Sequence, residues 1–177
     1  THQKGIDLIE GMLPDFVVGG GGLAVLGTGD PALEAAMRAA SDRFPGRVAV
    51  SVGYDEALSH RMFAGADAVL VPSRFEPCGL TQMYGLRYGT IPVVAATGGL
   101  ADTVIGASPA TLNANAATGV TFAPVDGLGL SRAMRMLLDL WADRAGWAAL
   151  THRAMQAEVG WDKAARAYAQ LYRGLLA

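Results

Sequence analysis

Short blocks of Val, Leu and Ile alternate with longer helical stretches as far as Phe122, and this alternation restricts the fold more than any other feature of the chain. The blocks are Leu23–Leu26, Arg47–Val52, Asp67–Pro72, Ile91–Ala95 and Gly119–Phe122. Each is strand-sized and continuously apolar, the pattern of strands buried on both faces. Between them, Ile6–Leu13, Pro31–Phe44, Glu56–Ala64 and Gly79–Tyr88 read as helices. Two helix starts are marked chemically: Asp30 precedes a Pro at the first helical position, and Asp55 is placed to cap Glu56–Ala64. Strands alternating with helices on short connections imply right-handed crossovers and a parallel sheet. The expected architecture is a Rossmann-like α/β fold with helices on both faces.

After Phe122 the pattern changes to helix alone, over Asp126–Leu140, Arg144–Glu158 and Trp161–Leu176. The last carries Ala164, Ala165, Tyr168, Leu171, Tyr172 and Leu175 on one stripe, an amphipathic helix in search of a groove. Trp141, Trp147 and Trp161 are expected to anchor this tail. With 177 residues the chain suits one domain, divided into an α/β core over 1–125 and a helical tail over 126–177. Gly19–Gly22 reads as a flexible surface connection. A doubly wound sheet normally opens with a central strand, yet this chain opens with His2-Gln3-Lys4-Gly5 and passes straight into a helix. Those residues look like the loop after a first strand that is missing. The chain also starts at Thr1, so a piece of something larger is expected, with two strand edges exposed.

Composition removes several classes of function. Hydrophobic residues make up 51% and charged residues 17%, which argues against disorder. A net charge of −2 with no basic cluster gives no support to nucleic acid or an anionic membrane as partner. No apolar run reaches the roughly 18 residues of a membrane span. Cys78 is the single cysteine and His2, His60 and His152 are scattered, so neither a disulfide nor a structural zinc site is expected. Together with the lack of a signal-peptide pattern, this suits a cytoplasmic setting.

In an open parallel sheet, ligands bind beyond the carboxyl ends of the strands. Gly27-Thr28-Gly29, Gly53-Tyr54, Ser73–Gly79 and Thr97-Gly98-Gly99 all fall there, and Lys4 joins them if it follows the absent strand. Gly27–Ala32 fits a relaxed dinucleotide fingerprint, but Asp30 puts a carboxylate where a pyrophosphate would sit and Pro31 removes an N–H donor. A turn and a helix cap explain it better than NAD. The Gly79 helix differs, because Gly79-Leu80-Thr81-Gln82 contains no acid and leaves its N–H groups open to a phosphate. Lys4 would add a point charge, and Glu76 an acceptor for sugar hydroxyls; alternatively Glu76 pairs with Arg74 and Lys4 is a solvated charge. Tyr54 is either a stacking ring or a packing residue. Cys78 reads as a small packing residue, and His60 and His152 as surface or capping residues.

The run Pro72-Ser73-Arg74-Phe75-Glu76-Pro77-Cys78-Gly79-Leu80-Thr81-Gln82 closely resembles bacterial glycogen synthases and plant starch synthases. So do Tyr88–Val94 and Thr97–Val104, and Gln3-Lys4-Gly5, Leu26–Asp30, Gly53-Tyr54-Asp55 and the Trp161–Leu175 helix follow in the family's order. The family consists of two-lobed retaining glycosyltransferases, and this chain resembles the C-terminal, nucleotide-sugar-binding lobe.

The resemblance implies that Lys4 holds the donor diphosphate, helped in the family by an arginine on the strand that is missing here. It implies that Tyr54 stacks on adenine and that the Leu80 and Thr81 N–H groups bind the distal phosphate. Glu76 would hydrogen-bond the glucose, with Cys78 and Gly79 lining its pocket through their backbone. Related transferases carry a second Glu eight positions after the first; here Tyr84 stands there, and glycogen and starch synthases commonly depart from Glu at this position too. The implied reaction moves glucose from ADP-glucose to an α-1,4-glucan acceptor held by the N-terminal lobe, without metal or other cofactor; the Ala-, Gly- and Arg-rich composition with two lysines points to a bacterial cytoplasm over a plastid. Alternatives are a non-catalytic nucleotide-sugar-binding module, or another retaining transferase such as sucrose or trehalose-phosphate synthase.

Overall fold

The computed structural model describes residues 2–176. Two 3-10 turns, His2–Lys4 and Ile6–Leu8, lead into α1 (Ile9–Val18), β1 (Leu23–Gly27), α2 (Pro31–Arg43), β2 (Val48–Val52), α3 (Glu56–Gly65) and β3 (Ala68–Val71). Then come α4 (Thr81–Tyr88), β4 (Ile91–Ala95), α5 (Gly98–Thr103), α6 (Pro109–Asn113) and β5 (Val120–Phe122). The helices α7 (Gly127–Ala142), α8 (Arg144–Met155) and α9 (Trp161–Leu175) complete the described chain.

Every strand pairing is parallel, as the alternation predicts, but the strands form two sheets and not one. In the smaller, Leu23 to Gly27 lie against Val48 to Val52. In the larger, β4 is central, with Ala68 opposite Ile91 on one side and Val93 opposite Val120 on the other. β1, β2, β3 and β5 each pair on one side only.

β4 is the centre of the core. All five of its residues are buried; because successive side chains point to opposite faces, both faces must be covered. α4, α5, α7 and α8 all pack on it. Leu86 of α4, Leu100 of α5, Leu130 of α7 and Leu150 of α8 are fully buried around it, each worth about 2 kcal/mol of transfer free energy. The expectation of two buried faces fails for β1 and β2. Val48 is buried, whereas Ala24, Ala49 and Ser51 on the opposite face are exposed. Only one side of this pair is covered, with α2 packed on β2 and Ser41 Oγ donating to the Val48 carbonyl at 2.9 Å.

Several boundaries shift for identifiable reasons. α1 continues through Pro14 to Val18, five residues beyond Leu13, because Ile9, Met12, Leu13 and Phe16 form one buried stripe. That burial outweighs the hydrogen bond proline cannot make. α4 begins at Thr81, not Gly79, because Gly79 has φ +74° and lies outside the right-handed helical region. The short α5 and α6 escape the hydrophobic pattern; Ser108-Pro109, which opens α6 with a reciprocal Ser108–Thr111 capping box, was the available signal. Gly19–Gly22 is a hydrogen-bonded turn, with Gly21 N donating to the Phe16 carbonyl at 2.9 Å. Of the tryptophans, Trp147 packs on the core, while Trp161 is 80% exposed and anchors nothing here.

Candidate functional site

The opening residues and the loop after β3 are joined by side chains that stand 67 to 72 positions apart in the sequence. Lys4 Nζ donates to Glu76 Oε2, and Ser73 Oγ donates to the same oxygen at 3.3 Å. Glu76 is buried, while the Lys4 side chain remains half exposed. Arg74 turns the other way. Its Nη1 and Nη2 reach Asp7 Oδ1 and Oδ2 at 2.8 and 2.7 Å, and Nη1 also donates to the His2 carbonyl at 2.6 Å. A pairing of Arg74 with Glu76 is therefore replaced by Arg74 with Asp7 and Lys4 with Glu76. The Arg74 hydrogen bond holds the Asp7 carboxyl below its ordinary value, and Asp7 in return raises the guanidinium.

Backbone contacts tighten the same junction. Arg74 N donates to the Gln3 carbonyl at 2.8 Å, and Gln3 Nε2 to the Phe75 carbonyl at 3.1 Å. Gly5, at φ +67°, turns the chain immediately after Lys4, and a β-carbon there would overlap the Pro72 carbonyl. Among the described residues, all three acid–base side-chain pairs lie in this junction: His2–Asp7, Lys4–Glu76 and Arg74–Asp7.

The start of α4 lies a few residues further on. Four longer helices, α2, α3, α7 and α8, are capped by Asp30, Asp55, Asp126 and Asp143. α4 has neither a side-chain cap nor an acid in its first turn, so its positive dipole end, about half a unit charge, is unopposed. At α2 the Asp30 cap takes Ala32 N and Leu33 N. The loop before α4 is held from behind. Buried Gln82 donates from Nε2 to the Cys78 and Gly79 carbonyls at 2.8 and 2.9 Å, and Gly99 N donates to the Glu76 carbonyl at 3.0 Å. Leu80 and Thr81 face solvent, and Cys78 is exposed instead of packed.

Lys4 and Glu76 thus meet beyond the carboxyl end of β3, and Cys78, Gly79, Leu80 and Thr81 follow Glu76 in the chain up to the start of α4. Tyr54 follows β2 in the smaller sheet, 86% exposed and without a packing partner for its ring. His60 bonds Tyr88 through Nδ1 at 2.8 Å, on the α3–α4 face. Asp7, Ser73, Gln3 and Gln82 are contributions that the sequence reading missed. For Asp7 and Gln3 no local signal exists, because their partners are distant in the chain, whereas Ser73 stands three positions before its partner Glu76.

No family model matches the chain. A glycogen synthase from Cereibacter sphaeroides is 65% identical over 177 residues, the whole of this chain. By sequence, the chain is similar over its whole length to glycogen synthases. It spans about 37% of that relative's length. Among solved structures, the catalytic domain of starch synthase IV from Arabidopsis thaliana, bound to ADP and acarbose, matches with a TM-score of 0.87 at 33% identity. The match covers 98% of this chain and 36% of that one. A sucrose-phosphate synthase from Thermosynechococcus elongatus matches with a TM-score of 0.71 at 26% identity, over 99% of this chain and 43% of its own. The more distant transferase is thus also further away in structure.

Proposed function

We propose that the chain is the C-terminal donor-binding lobe of a glycogen synthase, one unit with an α/β part over 1–125 and a helical part over 126–177. Its parent would transfer glucose from ADP-glucose to the 4-hydroxyl at the non-reducing end of an α-1,4-glucan, with retention. The observation that carries this reading is Lys4 held on Glu76 beside the uncapped start of α4. A cation, a carboxylate and an unopposed helix dipole close in the chain to one strand end support it.

In this reading Lys4 and the Leu80 and Thr81 N–H groups grip the donor diphosphate, and Tyr54 stacks on adenine. Glu76 accepts hydrogen bonds from the glucose, and the Cys78 and Gly79 backbone lines the sugar pocket. The bond from glucose C1 to the diphosphate oxygen breaks with its electron pair on that oxygen. Fixed positive charge stabilises it as it departs, and losing one such donor costs roughly 100- to 1,000-fold in rate. The acceptor oxygen joins C1 on the face the diphosphate leaves, and its proton goes to the departing side. The products are a glucan longer by one unit, and ADP. The N-terminal lobe and a strand between β1 and β3 would complete the parent, which would work in the bacterial cytoplasm. Without them this chain is expected to bind ADP weakly and to transfer no glucose.

Calorimetric titration with ADP, UDP and NAD tests the reading, with folding followed by circular dichroism. ADP is expected to bind in preference, and Lys4→Ala to weaken it by about tenfold. A preference for NAD, or undiminished ADP affinity in Lys4→Ala, would overturn it.

A further inference from the structure

We propose that Asp7 and Arg74 are positioning residues of the donor site: their ion pair fixes the segment bearing Lys4 against the loop bearing Glu76. The inference rests on the nucleotide-sugar reading above and names a device that serves it. Lys4 is a flexible side chain on a short 3-10 segment, so its place depends on what holds its backbone. The holding comes from both sides. Upstream of Lys4, the His2 carbonyl accepts from Arg74 Nη1 and the Gln3 carbonyl from Arg74 N. Downstream, Asp7 takes both ends of the Arg74 fork. One residue therefore brackets Lys4 from two directions across the tight turn at Gly5.

The other side-chain link between these segments is weaker in context. Lys4–Glu76 is the pair that a diphosphate and a sugar would have to engage, so it cannot also be what keeps the segment in place while ligand is bound. Gln3 Nε2 adds one exposed hydrogen bond to the Phe75 carbonyl. The Arg74 fork remains. Occupied by a carboxylate and a carbonyl, it has no role as a phosphate ligand itself, and it carries the bidentate geometry that makes Arg–carboxylate pairs directional.

The chain has two lysines, Lys4 and Lys163, and this makes the test internal to one molecule. Acylation of each by an amine-reactive ester is followed by mass spectrometry on the folded chain. Glu76→Gln sets the rate of Lys4 without its carboxylate partner. Asp7→Asn and Arg74→Gln are each expected to raise the Lys4 rate about threefold relative to Lys163, because Lys4 then spends less time on Glu76. Asp7→Glu is expected to restore it. ADP affinity is expected to fall about fivefold in Asp7→Asn. An unchanged Lys4 rate in both Asp7→Asn and Arg74→Gln, with native circular dichroism, would overturn the proposal. If the wild-type chain bound no ADP, the nucleotide reading would fall, and the labelling would still decide whether the fork positions Lys4.

Discussion

At the scale of single residues, the junction depends on who pairs with whom. Arg74 and Glu76 are two positions apart, and a local reading joins them; the fold sends them to opposite partners, Asp7 and Lys4. Charge state then matters. Because Arg74 holds the Asp7 carboxyl below its ordinary value of 3.8, the carboxylate contributes stability that is present above that value. The contribution is lost as pH falls through the lowered folded value. Asp7→Asn is therefore expected to unfold at lower urea than wild type at pH 7, with the difference closing below pH 3.8. Paired urea titrations at a series of pH values check this, and a difference that did not change with pH would assign the effect to packing. Gly99 shows the same dependence on distant partners. A β-carbon there would sit 2.5 Å from the Cys78 carbonyl oxygen, so glycine is what lets α5 brace the Glu76 loop.

At the scale of elements, α9 stands apart. Its face carries Tyr168, Leu171, Tyr172 and Leu175, all exposed, and none of its residues is buried. The amphipathic spacing was legible in the sequence, but not what the apolar face would meet. A chain ending at Gly160 is expected to melt within about 2 °C of the full one by differential scanning calorimetry, since little buried area is lost. A larger fall would mean that α9 packs on the body in solution. α4 contrasts with it. Its apolar face is buried at Leu86, and its first turn lacks a side-chain cap, a feature readable directly from Gly79-Leu80-Thr81-Gln82. β1 and β2 were legible as strands, but their half-exposed faces were not. A continuous apolar run implies two covers, and the sequence does not state that one is absent.

At the scale of the whole molecule, two sheets replace the single one that the strand pattern suggests. β1 and β3 keep unpaired edges, and a free edge is a template for another strand. Together with the uncovered face of α9, this predicts self-association at high concentration. Size-exclusion chromatography with light scattering measures it directly, and a compact monomer at all concentrations would count against it. Among the described residues, no helix is long and apolar enough to cross a membrane.

The sequence alone determined the parallel α/β order, the caps at Asp30 and Asp55, and the uncapped turn at Gly79. It also held the motif that resembles glycogen and starch synthases. These are local matters, settled by neighbours within a turn or a strand. Only the tertiary structure decided that Lys4 meets Glu76, that Arg74 meets Asp7, that Cys78 is exposed and that the sheet divides. Each of these depends on residues brought together across tens of positions by burial around β4, and hydrophobic spacing records which faces turn inward without recording which polar groups then meet at the strand ends.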